Sequence, residues 1–305
     1  MANRWRWIRG LLGLAIVVYA IRMVARNWAT VEQSPIEWRI SMLPIVGSLA
    51  LVLVTYAILV ESWRRMVAGW GARIAWWPAA RVWVISSMGK YLPLKFWTIA
   101  GMAVLGREAG VPAGVATTAA VVLQVVSIGT GALVVALTGS AALEAVTPGA
   151  WLGLAALIGL ATACLVVVLW PRPLNWLLRR LGRDGDLRAP AAAAVATGVL
   201  ANAAAWVGYG IALSWLARGV FAEVALTVPA AIAAFTASYL AGFLFLLAPS
   251  GLGVRESVFV LLTQGALGPA QAAALAVVSR IGMTIADLLA AAPFVLARRK
   301  TGVTT

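Results

Sequence analysis

The sequence predicts an all-α polytopic membrane protein, and three observations carry that prediction. Apolar residues fill 63% of the 305 positions and charged residues only 11%, with a mean hydropathy of +0.95, far from soluble globular usage. Several apolar runs reach the roughly 20 residues that a helix needs to cross about 30 Å of hydrocarbon. The basic residues gather in the short segments between those runs, as orientation signals do. A single integral membrane domain over residues 1–305 is the expected organisation.

The apolar runs are Leu11 to Ala25, Leu43 to Val60, Ala113 to Leu137, Trp151 to Trp170, Ala191 to Leu216, Ala225 to Leu247 and Ala270 to Leu296. The first follows Arg4, Arg6 and Arg9 and ends at Arg22 and Arg26. No A-x-A-like cleavage site follows it, so an uncleaved first helix is expected rather than a secretory leader. Tryptophan is abundant, at 15 residues, and Trp5, Trp7, Trp28, Trp38, Trp76, Trp77, Trp151 and Trp170 lie near span ends, the pattern of an interfacial aromatic belt.

Loop charge then sets topology. Lys and Arg number 24 against 10 Asp and Glu. Placing the basic segments on the cytoplasmic side puts the N-terminus, the Arg64 to Arg81 segment, the Arg172 to Arg188 segment and the Arg298-Arg299-Lys300 tail together, with Gly139 to Gly149 opposite. One straight crossing by Pro78 to Gly106 would misplace both middle loops. If that stretch, and later Val228 to Leu267, each dip into the bilayer and return, every loop falls correctly. The model expected is therefore six full transmembrane helices plus two oppositely oriented re-entrant helical hairpins, in a multi-pass protein of the plasma (inner) membrane with both termini cytoplasmic. Eight ordinary transmembrane helices are the alternative.

A weak internal repeat supports the hairpins. Pro78-Ala79-Ala80, Pro93 and Gly110-Val111-Pro112-Ala113 are echoed by Pro229-Ala230-Ala231, Pro249 and Leu267-Gly268-Pro269-Ala270. Residues 43–138 form the first copy and 191–297 the second. Inverted repeats with broken helices are a recurrent build of secondary transporters, and broken backbone at membrane depth requires a protein-lined cavity.

The candidate binding residues cluster at the two breaks. In Gly89-Lys90-Tyr91-Leu92-Pro93-Leu94-Lys95, the proline turns the chain between two lysines. At depth, Lys90 and Lys95 would face a cavity or an anion; in a shallow loop they would snorkel to headgroups. In Pro249-Ser250-Gly251-Leu252-Gly253-Val254-Arg255-Glu256, Gly251 and Gly253 permit a tight turn and Ser250 is the expected N-cap. Arg255 in the first helical turn suits a phosphate. Glu256, its chain neighbour, must pair elsewhere, and a purely structural ion pair is the competing reading. Arg280 falls near the middle of the last span with Thr284 and Asp287 on its face, and Asp287 or Glu256 is its expected partner. Gln124 holds the comparable place in the first copy, and Arg107-Glu108 reads as a surface pair.

Other chemistries find little support. No histidine, H-E-x-x-H, G-x-S-x-G, P-loop or metal-ligand cluster occurs, so neither catalysis nor a cofactor is expected. Cys164 is the only cysteine and sits in an apolar run, which excludes an intramolecular disulfide. The positive charge is accounted for by span flanks, so nucleic acid is not an expected partner.

The motifs at residues 89–93 with Trp97, at 249–256, and at Ser279-Arg280 with Asp287 resemble the lysylphosphatidylglycerol synthase transmembrane-region (flippase-like) family. The resemblance covers about Leu43 to Leu296, and 249–256 is its most specific part. Family members often carry Glu-Arg near position 124 and a glycine after Tyr-Leu-Pro, where this chain has Gln124-Val125 and Leu94. The resemblance implies a lipid flippase or scramblase moving a phosphate-bearing lipid, of aminoacyl-phospholipid or polyprenyl-phosphate type, between leaflets. The synthase's soluble aminoacyl-transfer domain has no counterpart, so lysyl-lipid synthesis is not implied. Substrate contact is expected at Lys90, Tyr91, Pro93, Lys95, Pro249, Ser250, Gly251, Gly253, Arg255, Glu256, Arg280 and Asp287. Membrane lipids, anionic or phosphate-bearing, are the expected partners, and a homo-oligomer is left open. A small organic anion transporter and a non-catalytic membrane partner of a lipid-modifying enzyme are the competing expectations.

Overall fold

The computed structural model describes residues 36–91, 96–139, 151–169, 190–245, 251 and 253–300. The expected first span, most of the Gly139 to Gly149 loop and the Arg172 to Arg188 segment lie outside the described residues, as do Pro93, Lys95, Pro249 and Ser250. The described chain is mainly helical: α1 (Met42–Gly69), α2 (Trp76–Ser87), a 3-10 turn (Met88–Tyr91), α3 (Phe96–Glu108), α4 (Ala113–Thr138), α5 (Trp151–Leu169), α6 (Ala192–Val220), α7 (Val228–Leu244) and α8 (Val254–Lys300). Four of these, α1, α4, α6 and α8, are long and apolar enough to cross a membrane. The protein is an all-α membrane protein.

Its surface is apolar where a soluble bundle's is polar, and its apolar interior also holds polar groups. Leu43, Leu137 and Leu200 are among its most exposed large side chains, whereas Thr55, Ser214, Thr236 and Asp287 are buried. With lipid as apolar as leucine, helices gain by close packing and interhelical hydrogen bonds rather than by hiding apolar surface. The longest seam shows both: α1 lies along α6, Gly208 faces the Thr55 side chain across it, and the Ser48 hydroxyl donates to the Ala212 carbonyl at 2.7 Å. Residues 36–41 finish the seam by pairing with the end of α6, where Arg39 N–H donates to Val220 and Ser41 N–H to Gly219.

The basic segment assigned to a loop at Arg64 to Arg81 is mostly helix. α1 runs on to Gly69 and α2 starts at Trp76, so Arg64, Arg65 and Arg81 all lie on helices. Glu61 extends α1, its carboxylate accepting from Arg64 Nε and Arg65 Nε at 2.7 Å each, at the i+3 and i+4 positions where helical side chains meet. Glu108, expected beside Arg107, instead reaches Arg81 Nη2 at 3.5 Å on the surface.

Two breaks and two reversals organise the centre. α2 and α3 have 12 and 13 residues, roughly 18–20 Å of helix each, well short of a full crossing. They meet where a Cβ on Gly89 would come within 2.8 Å of the Trp97 backbone. Thr227 caps α7 by accepting from the Ala230 N–H, with Pro229 in the first turn where a helix tolerates it. The second break closes as the first does, with a Cβ on Gly251 only 2.6 Å from Gly242 Cα.

α8 is two helices. Gly268 leaves the helical region at φ 76°, ψ 159°, just ahead of Pro269. Residues 256 and 280 would stand roughly 36 Å apart on a straight helix, yet their side chains touch at 2.5 Å. The chain therefore folds back at Gly268, with an arm from Val254 to Leu267 lying against a longer arm from Pro269 onward. Gly110, at φ 84° between α3 and α4 and two residues ahead of Pro112, is a second glycine with positive φ shortly before a proline.

Buried apolar side chains form two clusters. One joins α1, α6, α7 and α8 around Trp206, Phe235 and Leu275. The other joins α1, α2 and α4 around Trp63, Met66 and Val122. Between them lies the cavity.

Candidate functional site: a cavity between the two breaks

The cavity measures about 440 Å³, within the range of small-molecule sites, and α1, α2, the 3-10 turn, α3, α4, α6, α7 and α8 all contribute to its wall. Its wall is mainly apolar, with neutral polar groups at Ser87, Thr98, Gln124 and Asn202. Lys90 and Arg255 are the two charged side chains that line it, one beside each break, and no described carboxylate does.

Lys90 and Tyr91 occupy the 3-10 turn that ends the α2 side of the first break. The Lys90 ammonium does not snorkel: it bonds Asp287 of α8, at 2.8 Å to Oδ1 and 2.7 Å to Oδ2. Asp287, only 2% exposed, also accepts from the Tyr56 hydroxyl of α1 at 2.7 Å and the Tyr91 hydroxyl at 2.6 Å. One carboxylate thus joins α1, the first break and α8. A buried carboxylate is costly unless paired and hydrogen-bonded, and this one is both.

The second break is arranged differently. α8 begins at Val254, which makes Gly253, not Ser250, the residue at the cap position. Glu256, the third helical residue, reaches back so that its Oε2 accepts from the Gly253 N–H at 2.7 Å, the return half of a capping box. Its Oε1 accepts from Arg280 Nε at 2.5 Å across the fold-back. Of the two partners expected for Arg280, Glu256 is the one bonded and Asp287 is taken by Lys90.

Arg255 is left with neither. It is only 7% exposed and, among the described residues, no side chain or carbonyl bonds its guanidinium. It instead lies over Phe235 and Tyr239 of α7, at 5.0 and 5.2 Å from the ring centroids. Phe235 stacks on Tyr209 of α6 at 5.2 Å, and Tyr239 packs against Trp206 at 5.4 Å.

The structure therefore gathers Lys90, Tyr91, Gly251, Gly253, Arg255, Glu256, Arg280 and Asp287 around the two breaks. Lys90 and Arg255 face the cavity; Glu256, Arg280 and Asp287 serve as internal partners. Sequence reading missed Tyr56, Trp206, Tyr209 and Tyr239. Polar groups in mid-span were the available signal, but a lone tyrosine in an apolar run reads equally as packing. Among the described residues, no group of three or more His, Cys, Asp or Glu stands close enough to hold a metal ion. No protein-family model matches the chain and no curated protein matches it.

Proposed function

We propose that the chain is a lipid flippase or scramblase that passes the phosphate-bearing headgroup of a lipid between leaflets through the cavity, while the acyl chains stay in the bilayer. One observation carries the reading: a buried arginine with no acidic partner among the described residues lines a polar-spotted cavity in a membrane protein. A charge at such depth is expensive and is retained where it meets a ligand or a partner. In this reading α2 with α3, and α7 with the first arm of α8, are oppositely oriented re-entrant hairpins of an inverted repeat. Their shortness and the paired reversals at Gly110 and Gly268 support that. The resemblance to the flippase-like family at residues 89–93 and 249–256 supports the same cargo. The protein does no covalent chemistry in this reading, and its termini are cytoplasmic.

Liposomes of fluorescently labelled phospholipid provide the test. With the protein present, a membrane-impermeant quencher should reach inner-leaflet label far faster than in empty vesicles, and Arg255→Ala should remove the acceleration. Equal rates with and without protein would end the proposal. The size of the cavity also suits a small organic anion, so uptake of a soluble anion without any lipid movement would select that reading instead.

A further inference from the structure

We propose that the cavity selects a singly charged phosphodiester whose remaining headgroup is neutral and hydroxylated, and that Tyr209 and Tyr239 complete the anion site with Arg255. This rests on the reading above for its lipid source, and narrows it to one headgroup class.

The first argument is a hydroxyl count. Tyr209 is buried to 8% exposure and lines the cavity with Tyr239. Among the described residues neither phenol has a hydrogen-bond partner, whereas Tyr56 and Tyr91 both donate to Asp287. Buried hydroxyls are as a rule satisfied, so phenols without a described partner, on the wall that Arg255 also lines, mark a place where an acceptor docks. Both rings belong to the aromatic cluster that carries Arg255: Tyr209 stacks on Phe235, and the guanidinium lies 5.0 Å from the Phe235 ring centroid and 5.2 Å from that of Tyr239.

Charge balance gives the second argument. Lys90 is neutralised by Asp287, so among the described residues Arg255 is the one cation at the wall whose charge no carboxylate offsets. A phosphodiester carries one negative charge and matches it; a phosphomonoester carries nearly two at neutral pH and does not. No described carboxylate lines the cavity to receive an ammonium, and Arg255 already lies over Phe235 and Tyr239. A headgroup bearing an amine would therefore leave its own charge unmatched. The rest of the polar wall is neutral. Gln124 has no hydrogen-bond partner among the described residues, and Asn202 spends its amide N–H₂ on Gly198, keeping its carbonyl oxygen as an acceptor. Such groups suit hydroxyls of a glycerol or sugar.

The full chain in a neutral detergent reports binding through quenching of its tryptophan fluorescence, Trp206 being part of the wall. The probes are dioctanoyl phosphatidylglycerol, dioctanoyl phosphatidic acid, dioctanoyl phosphatidylethanolamine and soluble glycerophosphoglycerol. Phosphatidylglycerol should bind about tenfold more tightly than phosphatidic acid or phosphatidylethanolamine. Tyr209→Phe and Tyr239→Phe, which keep the rings and so the packing, should each weaken it about tenfold with an unchanged melting temperature. Equal affinity for the three lipids, or no effect of either Tyr→Phe change, overturns the proposal. Soluble glycerophosphoglycerol binding as tightly as the lipid supports the phosphodiester site and assigns it to a soluble ligand. Lipid movement without headgroup preference leaves the transport reading standing and removes this one; selective binding without lipid movement does the reverse.

Discussion

The two breaks place a cationic side chain at the same cavity, yet the two cations are held in opposite ways. Lys90 meets a buried carboxylate that two tyrosine hydroxyls also bond. Among the described residues Arg255 meets aromatic faces alone, its chain neighbour Glu256 being engaged by Arg280 and the Gly253 N–H. The same charge is thus a fastener in one place and a binding group in the other. Position at a broken helix does not distinguish them; the presence of an acid within reach does.

Removing the acid is the strongest way to break the contrast. Asp287→Ala strands the partly buried Lys90 ammonium and two hydroxyls, and should lower stability by about 3 kcal/mol in reversible unfolding in micelles. Replacing both partners, Lys90→Met with Asp287→Leu, should recover most of that loss, because apolar groups need no solvation; a double variant as unstable as Asp287→Ala would refute the fastener role. Arg255→Ala should do the reverse, weakening phosphodiester binding by roughly 10- to 100-fold with little change in melting temperature, since it breaks no hydrogen bond or ion pair to a described residue and loses only the contact with Phe235 and Tyr239. Glu256→Gln keeps an acceptor for the Gly253 N–H but removes the charge opposite Arg280, and should cost about 2 kcal/mol. Tyr56→Phe removes one of the bonds to Asp287 and should cost about 1 kcal/mol or less by the same unfolding measurement.

Much of this was legible before any coordinates. Apolar run lengths place α4, α6 and the start of α1 to within a few residues, because lipid demands continuous helix there, whereas α1 runs nine residues past Val60. The residues around both breaks announce themselves, since Pro, Gly and charge are out of place in an apolar stretch. The partners were harder. Arg280 had two acids in prospect, and only the reversal at Gly268 brings Glu256 to it from 24 positions away; a local glycine-proline step does not disclose the angle through which a chain turns. Arg64 and Arg65 were read as loop because charge ends a membrane span, but Glu61 lets the helix continue past it. The aromatic wall was least visible, because Tyr209 and Tyr239 differ from packing residues by one hydroxyl each.

The fold-back in α8 bears on how the chain enters a membrane. Each arm carries one member of the Glu256–Arg280 pair, and a charged residue near the middle of an inserting helix, as Arg280 is, opposes insertion by about 2.5–3.5 kcal/mol. Entering side by side, the arms offset Arg280 with Glu256 instead of presenting these two charges separately. The reversal at Gly268 is therefore expected to form during biogenesis, with the two arms inserting as one unit rather than in succession.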